Sequence, residues 1–232
     1  MLKMRTRYKI GVGFVLLIII SVGLLSIWWQ DQKQKMYNKS FTSIYDYDVI
    51  LTTDSTLNNA TLYLPLPVIN NTSSVGVDTV KHHFNNNDPS WEYALVDTKH
   101  GLMLSMKNEK ARSIDLSTMV FSNQTIDTMN PLGNEMVLMP KYNLTHNVNA
   151  RGAYSRTSEQ FDYESRVYAS YETSSNANTS ISIYLDARNE WWIGGWQSNN
   201  YREKVEIILS GSQDGWIAVN GELVTGEGTY EI

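Results

Sequence analysis

Paired carboxylates are the residues of this sequence best suited to acid–base chemistry. Asp46 and Asp48 alternate with tyrosines, and Asp162 and Glu164 flank another tyrosine farther along the chain. Alternation places both members of a pair on one face of a strand, where two carboxylates can serve as general acid and base or as a glycosidase pair. The same alternation is typical of a half-solvated strand, and no motif joins the two pairs. We therefore predict no catalytic residue.

Metal-binding residues are sparse. The chain has four histidines and no cysteine, which excludes Cys-ligated zinc and iron–sulfur centres. His82 and His83 are adjacent and would point to opposite faces of a strand. Met103 and Met106 offer thioethers that suit Cu(I), but a spacing of three splits them between the two faces of a strand. The sequence predicts no metal site and no cofactor.

An aromatic segment is the strongest candidate for recognition. Residues 191–196 read WWIGGW, and Tyr201 follows among Gln and Asn residues. On a single strand, Trp192 and Trp196 would share one side and Trp191 the other. Exposed aromatic rings beside amide side chains suit sugar stacking or protein contact, whereas a fully buried cluster would be ordinary core. We predict that Trp192, Trp196 and Tyr201 contact a ligand or partner.

An uncharged apolar segment near the N-terminus is expected to place the rest of the chain relative to a membrane. Ile10–Gln30 lies between Lys9 and Asp31 and reads IGVGFVLLIIISVGLLSIWWQ. At about 1.5 Å per residue, a helix of this length crosses a hydrocarbon core of roughly 30 Å. Trp28 and Trp29 fall where interfacial aromatic residues anchor a span. A cleaved signal peptide would have a shorter apolar core and small residues at its end, so we predict a membrane anchor in contact with the lipid bilayer.

Charge is distributed unevenly about this segment. Four of the 19 basic residues precede it and none of the 24 acidic residues does. The rest of the chain has 15 basic and 24 acidic residues, and therefore a formal net charge of −9. Basic residues beside a span favour the cytoplasmic side. We therefore predict a cytoplasmic N-terminus and an extracellular C-terminal domain at the cell membrane. A negative outer domain disfavours nucleic acid as a partner.

Sequons support the same orientation. Seven N-x-[S/T] motifs follow the span and none precedes it. Such motifs are acceptors for N-glycosylation on exported surfaces, although a polar β-rich surface also uses Asn and Thr freely. The predicted glycosylation sites are Asn38, Asn59, Asn70, Asn71, Asn123, Asn143 and Asn178.

The chain after the span alternates apolar and polar residues with a period of two. Short runs of this kind are separated by clusters of Asn, Gly, Ser and Asp, and no long helical pattern is expected after residue 40. Pro65 and Pro67 cannot donate to a ladder, so their strand lies at an edge or leaves the sheet at Pro65. The dipeptide Asn220-Gly221 predicts a hairpin turn. The fold class predicted is all-β, an antiparallel β-sandwich preceded by one N-terminal transmembrane helix.

These patterns divide the chain into four parts. The β-rich part is expected to be one sandwich, with an alternative in which it splits near 140–150. The predicted parts are a basic cytoplasmic head at 1–9, a transmembrane helix at 10–30, a juxtamembrane stalk at 31–39 and an extracellular β-sandwich domain at 40–232.

The arrangement resembles uncharacterised archaeal cell-surface membrane proteins with a β-rich outer domain. The resemblance covers the N-terminal span, the sequon-rich outer region and the strand from Asn59 to Pro67, which reads NATLYLPLP. It implies a location at the cell surface and no activity.

Three functions follow from these observations. The leading hypothesis is a non-enzymatic, single-pass surface protein that makes envelope or protein–protein contacts. The first alternative is a carbohydrate-binding or carbohydrate-cleaving surface domain that uses the WWIGGW segment. The second is an anchor subunit of a larger membrane complex, whose span contacts partner helices.

Overall fold

The fold was determined as a computed structural model, which describes residues 2–82, 90–150 and 155–230. Side chains are described from Gly13 onward. Within these described ranges, two helices, α1 (Leu2–Ser40) and α2 (Ser74–His82), accompany twelve strands and a 3₁₀ turn at Val148–Ala150. The strands are β1 (Thr42–Thr53), β2 (Leu57–Leu64), β3 (Leu66–Val68), β4 (Glu92–Thr98), β5 (Gly101–Ala111), β6 (Ile114–Ser122), β7 (Val137–Met139), β8 (Tyr142–His146), β9 (Glu159–Glu172), β10 (Asn178–Trp192), β11 (Trp196–Ser210) and β12 (Gln213–Gly228).

The chain forms two compact units, which we call the anchor unit and the β unit. The anchor unit consists of Met1–Phe41, Glu190–Gln197 and Tyr230–Ile232. The β unit consists of Thr42–Asn189 and Ser198–Thr229. Residues on both sides of 140–150 belong to the β unit, so no second domain begins there.

The anchor unit is built on α1, a helix of 39 residues. Its Gly13–Ser40 portion is long and apolar enough to cross a membrane. The helix continues through the predicted stalk and ends at Ser40, after which the backbone turns into the β-branched start of β1. The candidate membrane span and the predicted stalk are therefore parts of one continuous helix.

The β unit confirms the all-β prediction. One ten-stranded sheet has the order β4-β5-β2-β9-β12-β11-β10-β1-β6, with β8 also paired to β9, and β3 and β7 form a separate pair. Buried and half-buried residues alternate along β10, as the period of two predicted. The expected facing sheets are realised as a single antiparallel sheet that curls around its own core.

Helix α2 explains how the sheet curls. It packs against β4 and β6, which are the two edge strands of the sheet. The hydroxyl of Thr79 donates to that of Thr118 on β6 over 2.9 Å, and both side chains are buried. Ser73 caps the helix by accepting the N–H of Gly76 at 2.8 Å. A nine-residue helix is too short for periodicity to reveal, so its place was not predicted.

The two prolines act as predicted. β2 ends at Leu64, and β3 begins after Pro65 and pairs with β7 outside the large sheet. The chain leaves the sheet at Pro65 because proline has no N–H to continue the ladder.

The hairpin turn predicted at Asn220-Gly221 is wrong. β12 runs straight through both residues and pairs Gly221 with Tyr163 on β9. A Cβ at position 221 would overlap the ring of Tyr163. The glycine therefore serves close packing inside a strand, which is its other common use in sheets.

A buried ion pair lies beneath that ring. The Glu203 side chain has no exposed surface and pairs with Lys141, whose side chain is 6% exposed. Its two carboxylate oxygens also accept the N–H of Leu138 at 2.8 Å and the hydroxyl of Tyr163 at 3.0 Å. Burial lowers the pKa of Lys141, against the pull of Glu203, and raises the pKa of Tyr163 well above its ordinary value.

Gly221→Ala should destabilise the β unit. The added methyl group has no room beside Tyr163, and overpacking a core typically costs about 1–3 kcal/mol. Gly195→Ala is the matched control, because the nearest atom to its added Cβ is 3.9 Å away. Urea denaturation of the full chain in detergent measures both variants. Equal stability of the two would contradict the packing role of Gly221.

Lys141→Met should destabilise the fold far more than Lys204→Met. Removing one partner of a buried ion pair leaves an uncompensated charge and typically costs about 3–5 kcal/mol. Lys204 pairs with Glu206 at 2.9 Å, but both side chains are nearly half exposed, and such pairs contribute about 0–1 kcal/mol. Thermal unfolding measures the melting temperatures of the two variants. Similar melting temperatures would contradict a stabilising role of Lys141 in the buried ion pair.

Candidate functional site

The end of α1 and the WWIGGW segment form the candidate site within the anchor unit. Residues Glu190–Gln197 contain the end of β10, a turn and the start of β11. The turn is closed by the N–H of Ile193, which donates to Gly195 O at 3.2 Å, and Gly194 supplies a φ of +89°. The three tryptophans therefore lie on two strands joined by a turn, which corrects the single strand expected from the sequence.

An aromatic cluster joins this hairpin to the helix. Trp191 is 2% exposed. Its ring meets the ring of Tyr37 edge-on at 5.7 Å and stacks with that of Phe41 at 6.4 Å. Aromatic pairs at these distances stabilise a contact beyond the area they bury. Trp191 thus lies in a core, as predicted, but it packs against α1.

Ser40 adds a polar contact to the same junction. Its hydroxyl donates to Met36 O at 2.7 Å and accepts the backbone N–H of Trp192 at 2.7 Å. The last turn of the helix and the hairpin are therefore held by both a hydrogen bond and ring packing.

Trp192 and Trp196 lie at the outer side of this junction. They are 39% and 68% exposed, and their rings meet edge-to-face at 5.8 Å with 72° between the planes. Two large rings are available to a lipid, a sugar or a protein. Their contact with a ligand or partner stays a prediction.

Tyr201 does not belong to this surface. The side chain has no exposed area, and its hydroxyl donates to Met136 O in the interior of the β unit. Burial raises the pKa of Tyr201 well above its ordinary value. A residue without exposed surface cannot touch a ligand, so its inclusion was wrong.

One member of each carboxylate pair is held in an ion pair, and the two pairs lie on well-separated strands. Asp46 pairs with Arg188 at 3.3 Å, and Glu164 pairs with Arg166 at 2.6 Å. Burial raises the pKa of Asp48. Four strand spacings separate β1 from β9 in the sheet order, which is about 19 Å along the sheet. The two pairs do not form one site.

The other candidate metal ligands make local contacts within the fold. His82 lies on α2 and contacts Asp78 at 2.7 Å, while His83 lies outside the described residues. Met103 and Met106 are both fully buried, because β5 is covered on both faces there. In the part of the chain that the structure describes, no group of three or more His, Asp or Glu residues could hold a metal ion.

The seven sequon asparagines all lie on the surface. Four of them, at positions 59, 70, 71 and 143, have φ between 48° and 59°, a conformation that Asn tolerates better than most residues. Asn178 accepts a hydrogen bond from Ser210 at 2.9 Å. Backbone geometry therefore explains several of these asparagines without glycans, and their glycosylation stays a prediction.

A second aromatic surface was missed by the sequence analysis. Pairing aligns Tyr168 on β9 with Trp216 on β12 and Tyr63 on β2, and their rings lie 4.9–6.1 Å apart. His100 meets Trp216 edge-on at 4.5 Å and shares a hydrogen bond of 2.8 Å with the Tyr142 hydroxyl. We call these five residues the aromatic row. Tyr63 and Tyr168 each lie between two buried neighbours, but only strand register brings the rings of the row together.

No protein-family model, no curated protein and no solved structure matches this chain.

Replacing each tryptophan of the hairpin should separate core from surface. Trp191→Ala should destabilise the protein by about 3–5 kcal/mol, the usual cost of deleting a buried aromatic side chain. Trp192→Ala and Trp196→Ala should cost about 1 kcal/mol or less, as surface changes do. Thermal melts of the three variants in detergent measure this, and equal large losses would assign all three rings to the core.

Proposed function

We propose that this chain is a non-enzymatic, single-pass membrane protein whose β unit makes envelope or protein–protein contacts outside the cell. The observation that carries this proposal is the exposed apolar surface of α1. Between Phe14 and Ile27 the large apolar side chains are 49–70% exposed. Burying one such side chain is typically favourable by about 1.5–3 kcal/mol, so a whole helix of them favours a lipid environment.

The ends of the helix fit this environment. Trp28 and Trp29 are about half exposed and close the apolar stretch, where indoles anchor a span at the interface. Asp31 and Lys35 follow and form an exposed i,i+4 ion pair at 2.6 Å. The polar half of α1 therefore begins where a bilayer would end.

Orientation is supported by charge. Four basic residues precede the span, the region after it carries −9 charges, and all seven sequons lie in that region. Basic residues on the short N-terminal side favour a cytoplasmic head. The β unit would then lie outside the cell.

Two surfaces of the β unit suit protein contact. The aromatic row presents five half-buried or exposed rings beside Arg166, which lies over the ring of Tyr142 at 5.1 Å. Edge strand β6 exposes Met119 and Phe121 to 44% and 64%. Exposed aromatic and methionine side chains are enriched where proteins meet.

Protease treatment of intact cells tests the topology. A tag at the C-terminus should be lost while a tag before residue 10 stays in the membrane fraction. The control is the same treatment after the cells are opened, which should remove both tags. A C-terminal tag protected in intact cells and lost only after opening would place the β unit inside and contradict the proposal.

A further inference from the structure

We propose that the tip of the β10–β11 hairpin, with Trp192 and Trp196, inserts into the lipid interface as a second membrane contact beside α1. This inference rests on the proposed function, because it needs α1 to span the bilayer. It assigns the two exposed indoles one partner, the headgroup region of the membrane, and gives the anchor unit two points of attachment.

The covered face of α1 indicates where the hairpin lies along the helix. Gln32, Lys33, Met36, Tyr37 and Ser40 are half-buried, whereas the positions between them are exposed. A spacing of three to four residues is that of one helix face. The ring contact of Tyr37 with Trp191 and the bond of Ser40 to Trp192 mark this as the face against which the hairpin packs.

That face extends from Ser40 back toward the apolar stretch. Ser40 lies eight positions after Gln32, which is about 12 Å along the helix axis. Trp29 follows within one further turn. The covered face thus ends beside the pair of tryptophans at the proposed membrane boundary, and a hairpin packed along this face would lie near the level of the headgroups.

The chemistry of the tip suits that level. No charged residue occurs between Glu190 and Arg202, so insertion desolvates no ion. Indoles combine an apolar body with one N–H donor, and this is why tryptophan concentrates at membrane interfaces. Trp196 is the most exposed of the three at 68%. Lys33 and Lys39 on the stalk supply positive charge for lipid phosphates nearby.

The geometry of the two rings favours lipid over sugar. A sugar stacks on a flat aromatic face, whereas the planes of Trp192 and Trp196 are inclined by 72°. Together they form a wedge and no continuous platform. A wedge can enter between lipid headgroups, where the surroundings are fluid and impose no fixed shape.

Because the sequence contains no cysteine, a single introduced cysteine can be labelled specifically. Gly195→Cys places a fluorescent label at the tip while keeping both tryptophans. A side chain fits there, since the nearest atom to a Cβ at position 195 is 3.9 Å away and the backbone needs no positive φ. The full chain is reconstituted in phosphatidylcholine–phosphatidylglycerol vesicles, with and without lipids that carry a nitroxide near the headgroup. For a calibration label in the middle of the apolar stretch, the nitroxide is placed deep in the lipid acyl chain, because such a label lies about 15 Å from either headgroup layer.

Two further single-cysteine variants calibrate the result. Ile20→Cys lies in the apolar stretch and is 58% exposed, and Ile208→Cys lies near the end of β11 and is 74% exposed. The label at 195 should lose emission when nitroxide lipid is present, whereas the label at 208 should keep its emission. Adding Trp192→Ala and Trp196→Ala to the Gly195→Cys chain should restore emission toward the level seen at 208.

Each outcome decides a separate point. An unquenched label at 20 would overturn the membrane span and with it the proposed function. Quenching at 20 together with no more quenching at 195 than at 208 would overturn the hairpin contact alone, and would return the indoles to a soluble partner such as a sugar or protein. Full quenching at 195 after loss of both tryptophans would overturn their role in the contact.

Discussion

The carboxylate of Glu203 sets the constraint on which the interior of the β unit depends. It is fully buried, and a buried charge must be paired and hydrogen-bonded or the fold loses several kcal/mol. Lys141, the N–H of Leu138 and the hydroxyl of Tyr163 meet that demand from two other parts of the chain. Tyr163 can reach Glu203 because Gly221, its partner on β12, leaves room for the ring. The contacts around this one buried charge thus connect β7, β9, β11 and β12.

The anchor unit follows a different rule, because it is arranged around a helix that leaves its apolar surface open. Trp191 fills the gap between the end of α1 and the hairpin, and Ser40 bonds the hairpin backbone. The exposed indoles of Trp192 and Trp196 then stand beside a helix that is apolar and long enough to cross a membrane. The proposed membrane contact would give these two rings a role that a soluble β-domain would not offer them.

Recognition by the β unit would use surfaces formed across strands. The aromatic row exists because the register of β2, β9 and β12 aligns Tyr63, Tyr168 and Trp216 on one face. The carboxylate pairs show the opposite outcome: strands β1 and β9 keep Asp46 and Glu164 apart, and each is paired with an arginine. Strand order therefore decides which of the candidate side chains lie close enough to act together.

Local patterns by themselves determined the apolar helix, the period of two, the exit of the chain at Pro65 and the opposite exposures of Trp191 and Trp192. Each of these depends on residues a few positions apart. Over that distance, backbone geometry fixes which way successive side chains point in a helix or a strand. The strand at Asn220-Gly221, the burial of Tyr201, the Lys141–Glu203 pair and the aromatic row were decided only by the tertiary structure. Their partners lie 40 or more positions away, and strand order and register follow from the packing of the whole sheet, which no local pattern encodes.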